Sequence, residues 1–195
     1  MPPVAQPQAR PQEEPPAWVQ GLVRGDPAAF DEVFLAYRRR IFGYFVRMTG
    51  RGDLAEDLTQ EVFLRLARSA RGLRPDTRLR AWLFTVAHNV LVSHARAARV
   101  TAALASELAE RPRPAEATPF EAMASSATSA RVERALEQLP AACREVILLV
   151  AIEGLPAAEA GAALGLSAEA VRQRLHRART LLTKALDPDA PRRTE

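Results

Sequence analysis

Arg172, Gln173, His176, Arg177 and Arg179 stand close together near the carboxy terminus, at spacings that a helix would gather. Val171, Leu175, Ala178 and Leu182 recur at helical period and form an apolar stripe. Gln173, His176 and Arg177 fall opposite that stripe, and Arg172 and Arg179 flank them. Guanidinium groups neutralise phosphates, and Arg or Gln can read base edges in a major groove. From Ser167 to Lys184 there are five basic residues and one acid, where a merely solvated helix carries mixed charge. The residues before this helix supply its partner. Pro156 starts a first helix, Leu164 ends it, Gly165 permits a tight turn, and Ser167 caps the second. The pattern predicts a helix-turn-helix, and DNA is its expected partner.

Composition narrows the rest. The 195 residues suffice for one or two small domains with real cores. Richness in Ala, Leu and Arg favours helix. The net charge of +4 is modest, but it is unevenly spread. Asp53 to Glu61 holds four acids and no base, whereas Arg65 to Arg99 holds eight arginines and one acid, Asp76. This segregation predicts one face for a basic protein partner and another for nucleic acid. The single cysteine, Cys143, excludes an internal disulfide and points to a reducing cytoplasm. It reads as a small buried hydrophobe. The amino terminus lacks the apolar core of a signal peptide, and no apolar run is long enough to span a bilayer, so no membrane insertion is expected. His88, His94 and His176 lack metal-ligand spacing, no glycine loop cradles phosphate, and no cysteine–histidine pair is suggested. No metal, cofactor, small-molecule substrate or enzymatic activity is therefore expected.

The elements that position these groups read as all-α: two small helical domains joined by a flexible linker, the second containing the helix-turn-helix. Residues 1–16, rich in Pro, Gln and Glu, form a disordered tail. The first domain spans 17–99. It starts with a short helix, Trp18 to Arg24. A second helix follows, capped by Asp26 with Pro27 at its first position, and runs to Thr49. A third begins at Asp53, with Leu54, Leu58, Val62, Leu64 and Leu66 as core and Glu56, Asp57, Gln60 and Glu61 exposed. A loop, Leu73 to Leu79, leads to a fourth helix from Arg80 to about Arg99. Residues 100–129 lose pattern and read as the linker; at roughly 3.3–3.6 Å each they could stretch about 100 Å, enough for several domain arrangements. The second domain spans 130–187. It has a helix from Ala130 to Leu139, another from Ala141 to Glu153, and then the helix-turn-helix. A tail, 188–195, follows.

With both domains laid out, the chain resembles a bacterial sigma factor of the extracytoplasmic-function type. In the first domain the resemblance rests on Arg24-Gly-Asp-Pro-Ala-Ala-Phe30, Tyr37, Asp57-Leu-Thr-Gln-Glu-Val-Phe63, Leu73 to Leu83, Ala87 and Asn89. In the second it rests on Leu139-Pro, Arg144-Glu-Val, Glu153-Gly-Leu and Val171 to Arg179. Their joint order and spacing carry the resemblance. It implies that Asp57, Gln60 and Glu61 dock on the beta-prime coiled coil of core RNA polymerase, an acidic stripe against a basic partner. The second domain would meet the beta flap. The loop and fourth helix would capture the promoter element nearest the start site as single-stranded DNA. Asn89 would read an unstacked base, with Thr85, His88, Ser93 and Arg96 on nearby turns. Arg74, Arg78 and Arg80, together with Asp76 of the same loop, would follow the backbone. Arg172, Gln173, His176, Arg177 and Arg179 would read the distal element. An anti-sigma factor is implied as a further partner. The chain departs from the family where Leu73 and Leu79 replace an aromatic and Pro75 a glycine.

Two other readings are open at this point. A stand-alone helix-turn-helix regulator would use the second domain but leave the first without a task. A decoy that binds an anti-sigma protein without DNA would not need the arginines of the last helix or Asn89. Gly161, inside the first helix of the turn motif, costs about 1 kcal/mol against alanine. It therefore predicts either a close helix approach or a local weakness.

Overall fold

The computed structural model describes residues 16–105 and 127–186. Eight α-helices follow in order: α1 Pro16–Arg24, α2 Pro27–Thr49, α3 Gly52–Ser69, α4 Leu79–Ala105, α5 Ala127–Glu137, α6 Ala141–Ile147, α7 Ala157–Leu164 and α8 Ala168–Leu186. No strand occurs among the described residues. The all-α expectation holds.

Local chemistry sets the boundaries. Asp26 accepts the Ala28 N–H at 3.0 Å and Pro27 opens α2, as expected of a cap followed by a proline. Gly50, at φ 68°, closes α2 by donating its N–H to Val46. The third helix starts one residue before the expected Asp53. Asp53 lies inside the first turn, held by Arg51 at 2.5 Å, where its charge suits the helix dipole. Leu64, expected in the core, is 50% exposed. It stands about 200° around the axis from the buried Val62 and Leu66, so the stripe that buries them turns it outward.

Helix α4 runs past Arg99 to Ala105, and α5 begins at Ala127 rather than Ala130. The ends of the expected linker are thus helical, because alanine-rich sequence without proline propagates a helix it has already nucleated. Residues 106–126 of that segment, all of the expected tail 188–195 and residues 1–15 of the other lie outside the described residues, and Pro16, expected in the tail, begins α1. The single helix expected from Ala141 to Glu153 is an α-helix only to Ile147. A π-helical turn, Leu148–Ile152, follows, and Glu153 donates its N–H to Leu148 at 2.9 Å. Glu153 caps this turn.

The apolar core is continuous across both halves of the chain. Buried Tyr44, Phe45, Leu83 and Phe84 of the first half belong to one cluster with Val146, Leu149, Leu155 and Ala160 of the second. Helix α7 packs against α4, and α5 and α6 against α2. Cys143 is buried within the same cluster, as expected.

Gly161 is resolved in favour of close approach. A Cβ there would lie 2.6 Å from the Leu166 carbonyl oxygen, and the Leu166 N–H donates back to Gly161 at 2.8 Å. Alanine would gain about 1 kcal/mol of helix propensity. It would also overlap a backbone atom that cannot yield without opening the turn, and such overpacking costs about 1–3 kcal/mol. Gly161→Ala is therefore expected to lower stability by about 1 kcal/mol, measured as a fall in the urea midpoint. A rise in the midpoint would mean the turn is loose.

Candidate nucleic-acid interface

The second half presents α8 as expected. Val171, Leu175 and Ala178 are buried and Leu182 packs behind them, against α6 and α7. Ser167 accepts the Ala170 N–H at 3.1 Å, which caps the helix. Arg172, Gln173, His176, Arg177 and Arg179 are all exposed. Two of them are already oriented. Glu169 accepts from Arg172 at 2.7 and 3.0 Å and from Gln173 at 3.4 Å. The Arg172 guanidinium holds the Glu169 carboxyl below the usual carboxylate range. Glu169 is thus an ionised post at the start of the helix, and Arg172 and Gln173 lean on it.

In the first half, α4 sets Asn89, Ser93 and Arg96 along one exposed stripe at helical spacing. Thr85 is half-buried and its hydroxyl donates to the Ala81 carbonyl at 2.7 Å. The loop before α4 is anchored by Leu73 and Leu79, both buried. The two leucines that replace aromatics therefore serve the core. Arg74 and Asp76 remain exposed and pair with each other at 3.1 Å across a turn closed by Thr77 N–H to Arg74.

The remaining proximal candidates face the second half. Arg78 pairs with Glu159 of α7. Arg80 is buried and donates to the Glu153 carbonyl at 3.3 Å. His88 is half-buried, with its Nδ1 2.7 Å from Glu145 of α6. The structure therefore divides the proximal set: Arg74, Asp76, Asn89, Ser93 and Arg96 are exposed, Thr85 is half-buried on α4, and Arg78, Arg80 and His88 meet the second half, Arg78 from an exposed position.

Sequence reading missed the groups that engage them. Tyr44 donates to Glu145 at 2.5 Å. Burial, reinforced by the Glu145 carboxylate, pushes the Tyr44 hydroxyl up, so it keeps its proton and donates. Arg40 binds the Glu153 carboxylate at 2.7 Å and its carbonyl at 3.2 Å. Burial raises the Glu153 carboxyl despite Arg40, so desolvation offsets part of what the ion pair contributes. Arg47 grips Glu133 with two nitrogens at 2.9 and 2.6 Å, and Arg144 donates to the Arg47 carbonyl at 2.8 Å. The only signal in the sequence was that Glu145 and Glu153 bracket an apolar run and so require buried partners.

On α3, Asp57 and Gln60 are exposed, and Glu61 is half-buried with Arg65 at 2.7 Å. Exposed Leu64 continues that stripe by one turn and gives an acidic surface an apolar end.

Comparison with known proteins places both halves. The family described as Sigma-70 region 2 matches residues 33–101, and that described as Sigma-70, region 4 matches residues 129–182. The chain is 37% identical over 153 residues to RNA polymerase sigma factor CarQ of Myxococcus xanthus, covering 78% of this chain and 86% of CarQ. It is 32% identical over 176 residues to ECF RNA polymerase sigma factor SigE of Mycolicibacterium smegmatis, covering 88% and 68%. It is also 32% identical over 186 residues to the RNA polymerase sigma-H factor of Pseudomonas aeruginosa, covering 91% and 96%. Among solved structures it resembles CnrH in complex with the cytosolic domain of CnrY, with a TM-score of 0.65 and 27% identity over 90% of this chain and 98% of that one. The sigma factor RpoE of Bartonella quintana shares the fold, with a TM-score of 0.66 at 23% identity, covering 82% and 98%. With both regions matched in order along one chain, and with relatives above 30% identity over most of their length, this protein belongs to the extracytoplasmic-function RNA polymerase sigma factors.

Proposed function

We propose that this sigma factor directs core RNA polymerase to its promoters through three separate surfaces. The observation that carries the reading is the presence, in one chain, of two exposed stripes with base-reading or cationic side chains on different helices, Asn89–Ser93–Arg96 on α4 and the cationic face of α8. Asn89 reads an unstacked base of the proximal element through its amide, which both donates and accepts. Arg74, Arg78, Arg80 and Arg96 neutralise the phosphates of that strand. Thr85, His88 and Ser93 flank the base, and Asp76 fixes Arg74 in the loop. Arg172, Gln173, His176, Arg177 and Arg179 meet the distal element as duplex. The second half also contacts the beta flap of polymerase. The chain carries no catalytic step of its own, since the polymerase makes the RNA. Its place of work is the cytoplasm, where polymerase and promoter are found. No described helix is long and apolar enough to cross a membrane.

Docking falls to α3. Asp57 and Glu61 stand four apart and share a face with Gln60 and Leu64. An acidic stripe with an apolar end suits the beta-prime coiled coil: charge steers the encounter and Leu64 adds buried area. Changing Asp57 and Glu61 together to Arg is expected to abolish co-purification with core polymerase while helicity stays unchanged. A folded double variant that still co-purifies would remove α3 from the docking role.

CnrH is seen in complex with the cytosolic domain of CnrY. By that likeness we infer an anti-sigma factor for this chain as well. The test of the whole reading is run-off transcription by purified core polymerase on a candidate promoter. Product that depends on adding this chain supports it, and product independent of the chain opposes it.

A further inference from the structure

The corner where α1 meets α2 holds a cavity of about 280 Å³. Leu22, Pro27, Phe30 and Ala70 supply its apolar wall, and Asp26 and Arg71 add charge to the lining. Gly25 shapes the corner. Its φ is 74°, and a Cβ there would stand 3.5 Å from Nε and Nη2 of Arg71, so the guanidinium lies across the turn. Arg24 and Arg71 are exposed, and neither guanidinium pairs with a carboxylate among the described residues. Asp26 caps α2 through Oδ1, which leaves Oδ2 to accept from a cation. The corner therefore offers two cations without a counter-charge, one half-used carboxylate and an apolar hollow. None of the surfaces assigned above includes it.

We propose that the residues preceding α1 turn back along it and dock in this corner, with Pro11 in the hollow, Glu13 and Glu14 on Arg24 and Arg71, and Arg10 on Asp26. The lengths match. Helix α1 has nine residues, or about 13 Å at 1.5 Å per residue. Pro11 stands five residues before Pro16, or about 15 Å of polyproline II at 3.1 Å per residue. A chain reversed ahead of α1 thus brings Pro11 level with Gly25. Glu13 and Glu14 stop short of Gly25 by a gap that their side chains and those of the arginines span. The charges match in the same order. The two acids come first, against two arginines, and Arg10 lies beyond Pro11, toward the carboxylate that starts α2. Proline at 7, 11 and 15 favours polyproline II, an extended backbone that needs no core of its own and loses little freedom on docking. Such segments dock where an aromatic side chain lines the surface, and Phe30 supplies the ring. A short tether holds the segment near the corner at an effective concentration on the order of millimolar, so weak contacts suffice. The inference does not depend on the promoter or polymerase contacts assigned above.

The test places spin labels at Gln8→Cys and at Ala36→Cys, an exposed site on α2, in the full chain; buried Cys143 is left unmodified. The labelled chain should give one narrow distance. Glu13→Arg with Glu14→Arg should broaden it. Adding Arg24→Glu and Arg71→Glu to that variant should narrow it again, because the exchanged charges still match. All four positions precede α1 or are exposed, so helicity should be the same throughout. A distance that is broad at the outset, or narrow but indifferent to the reversal, would overturn the docking. A fluorescent oligothymidylate tests the rival occupant, a single strand of nucleic acid. Arg24→Gln with Arg71→Gln, in the chain with its natural acids, should change oligothymidylate affinity by no more than about twofold, because the docked segment already covers both arginines. A larger loss would give the corner to nucleic acid and overturn the proposal.

Discussion

Holoenzyme carrying Asn89→Ala is expected to lose transcription from duplex promoters by roughly five- to 150-fold, the equivalent of the 1–3 kcal/mol that one paired contact to a base edge supplies. Asn89 is exposed on α4, away from the Asp57 and Glu61 stripe, so the variant should bind core polymerase as the parent does. Its side chain lies at the surface, so truncation to alanine leaves no cavity and, by helix propensity, slightly favours α4. Loss of activity would therefore report lost contact rather than lost fold. Opening the promoter in advance with a mismatched bubble should restore part of the activity, since unpairing and unstacking then cost nothing further. Templates varying at one upstream base should lose their ranking with the variant and keep it with the parent. Equal activity on every template would eliminate Asn89 as the base reader. The loop from Leu73 to Leu79 would then be the next candidate, though its two leucines are packed inward.

The helices and the turn motif were legible in the sequence because their causes are local. Asp26-Pro27, Gly50, Ser167 and Gly165 each act through backbone atoms within a few residues, and each sits where its type predicted. The stripe of α8 was legible for the same reason, since a helix repeats its faces whatever packs against them. Leu64 marks the limit of that reasoning. Apolar type placed it in the core, but its angle around α3 relative to Val62 and Leu66 placed it outside. The contacts between the two halves were not legible. Tyr44 and Glu145 are 101 residues apart, and Arg40 and Glu153 are 113 apart, so no period links them. The resemblance implied Arg78 and Arg80 as phosphate ligands. That gives their chemistry, but not the Glu159 carboxylate and the Glu153 carbonyl that they meet within the chain.

The cationic face of α8 gives the second large effect. Replacing Arg172, Gln173, His176 and Arg177 together with alanine should leave the helix intact, because alanine is the best helix former and the buried stripe of Val171, Leu175 and Ala178 is untouched. Affinity for distal-element duplex should then collapse toward the nonspecific level. Single changes can sort the contacts. If Arg177 reads a base with both nitrogens, Arg177→Ala costs about 1–3 kcal/mol and relaxes preference at one position. If it meets a phosphate, all sequences weaken alike and the slope of log affinity against log salt falls by about 0.9. Glu169 adds a constraint on this result. It holds Arg172 and Gln173, and it is ionised in the first turn of the helix. DNA must either leave that pair in place, with Arg172 offering its remaining donors, or displace it. Glu169→Ala distinguishes these cases. Tighter binding to every sequence would mean that removing a negative charge outweighs the lost positioning. Weaker binding to the preferred sequence alone would mean that Glu169 orients Arg172 and Gln173 toward their bases. If all four face residues can be replaced without changing either affinity or promoter choice, α8 is not the recognition helix.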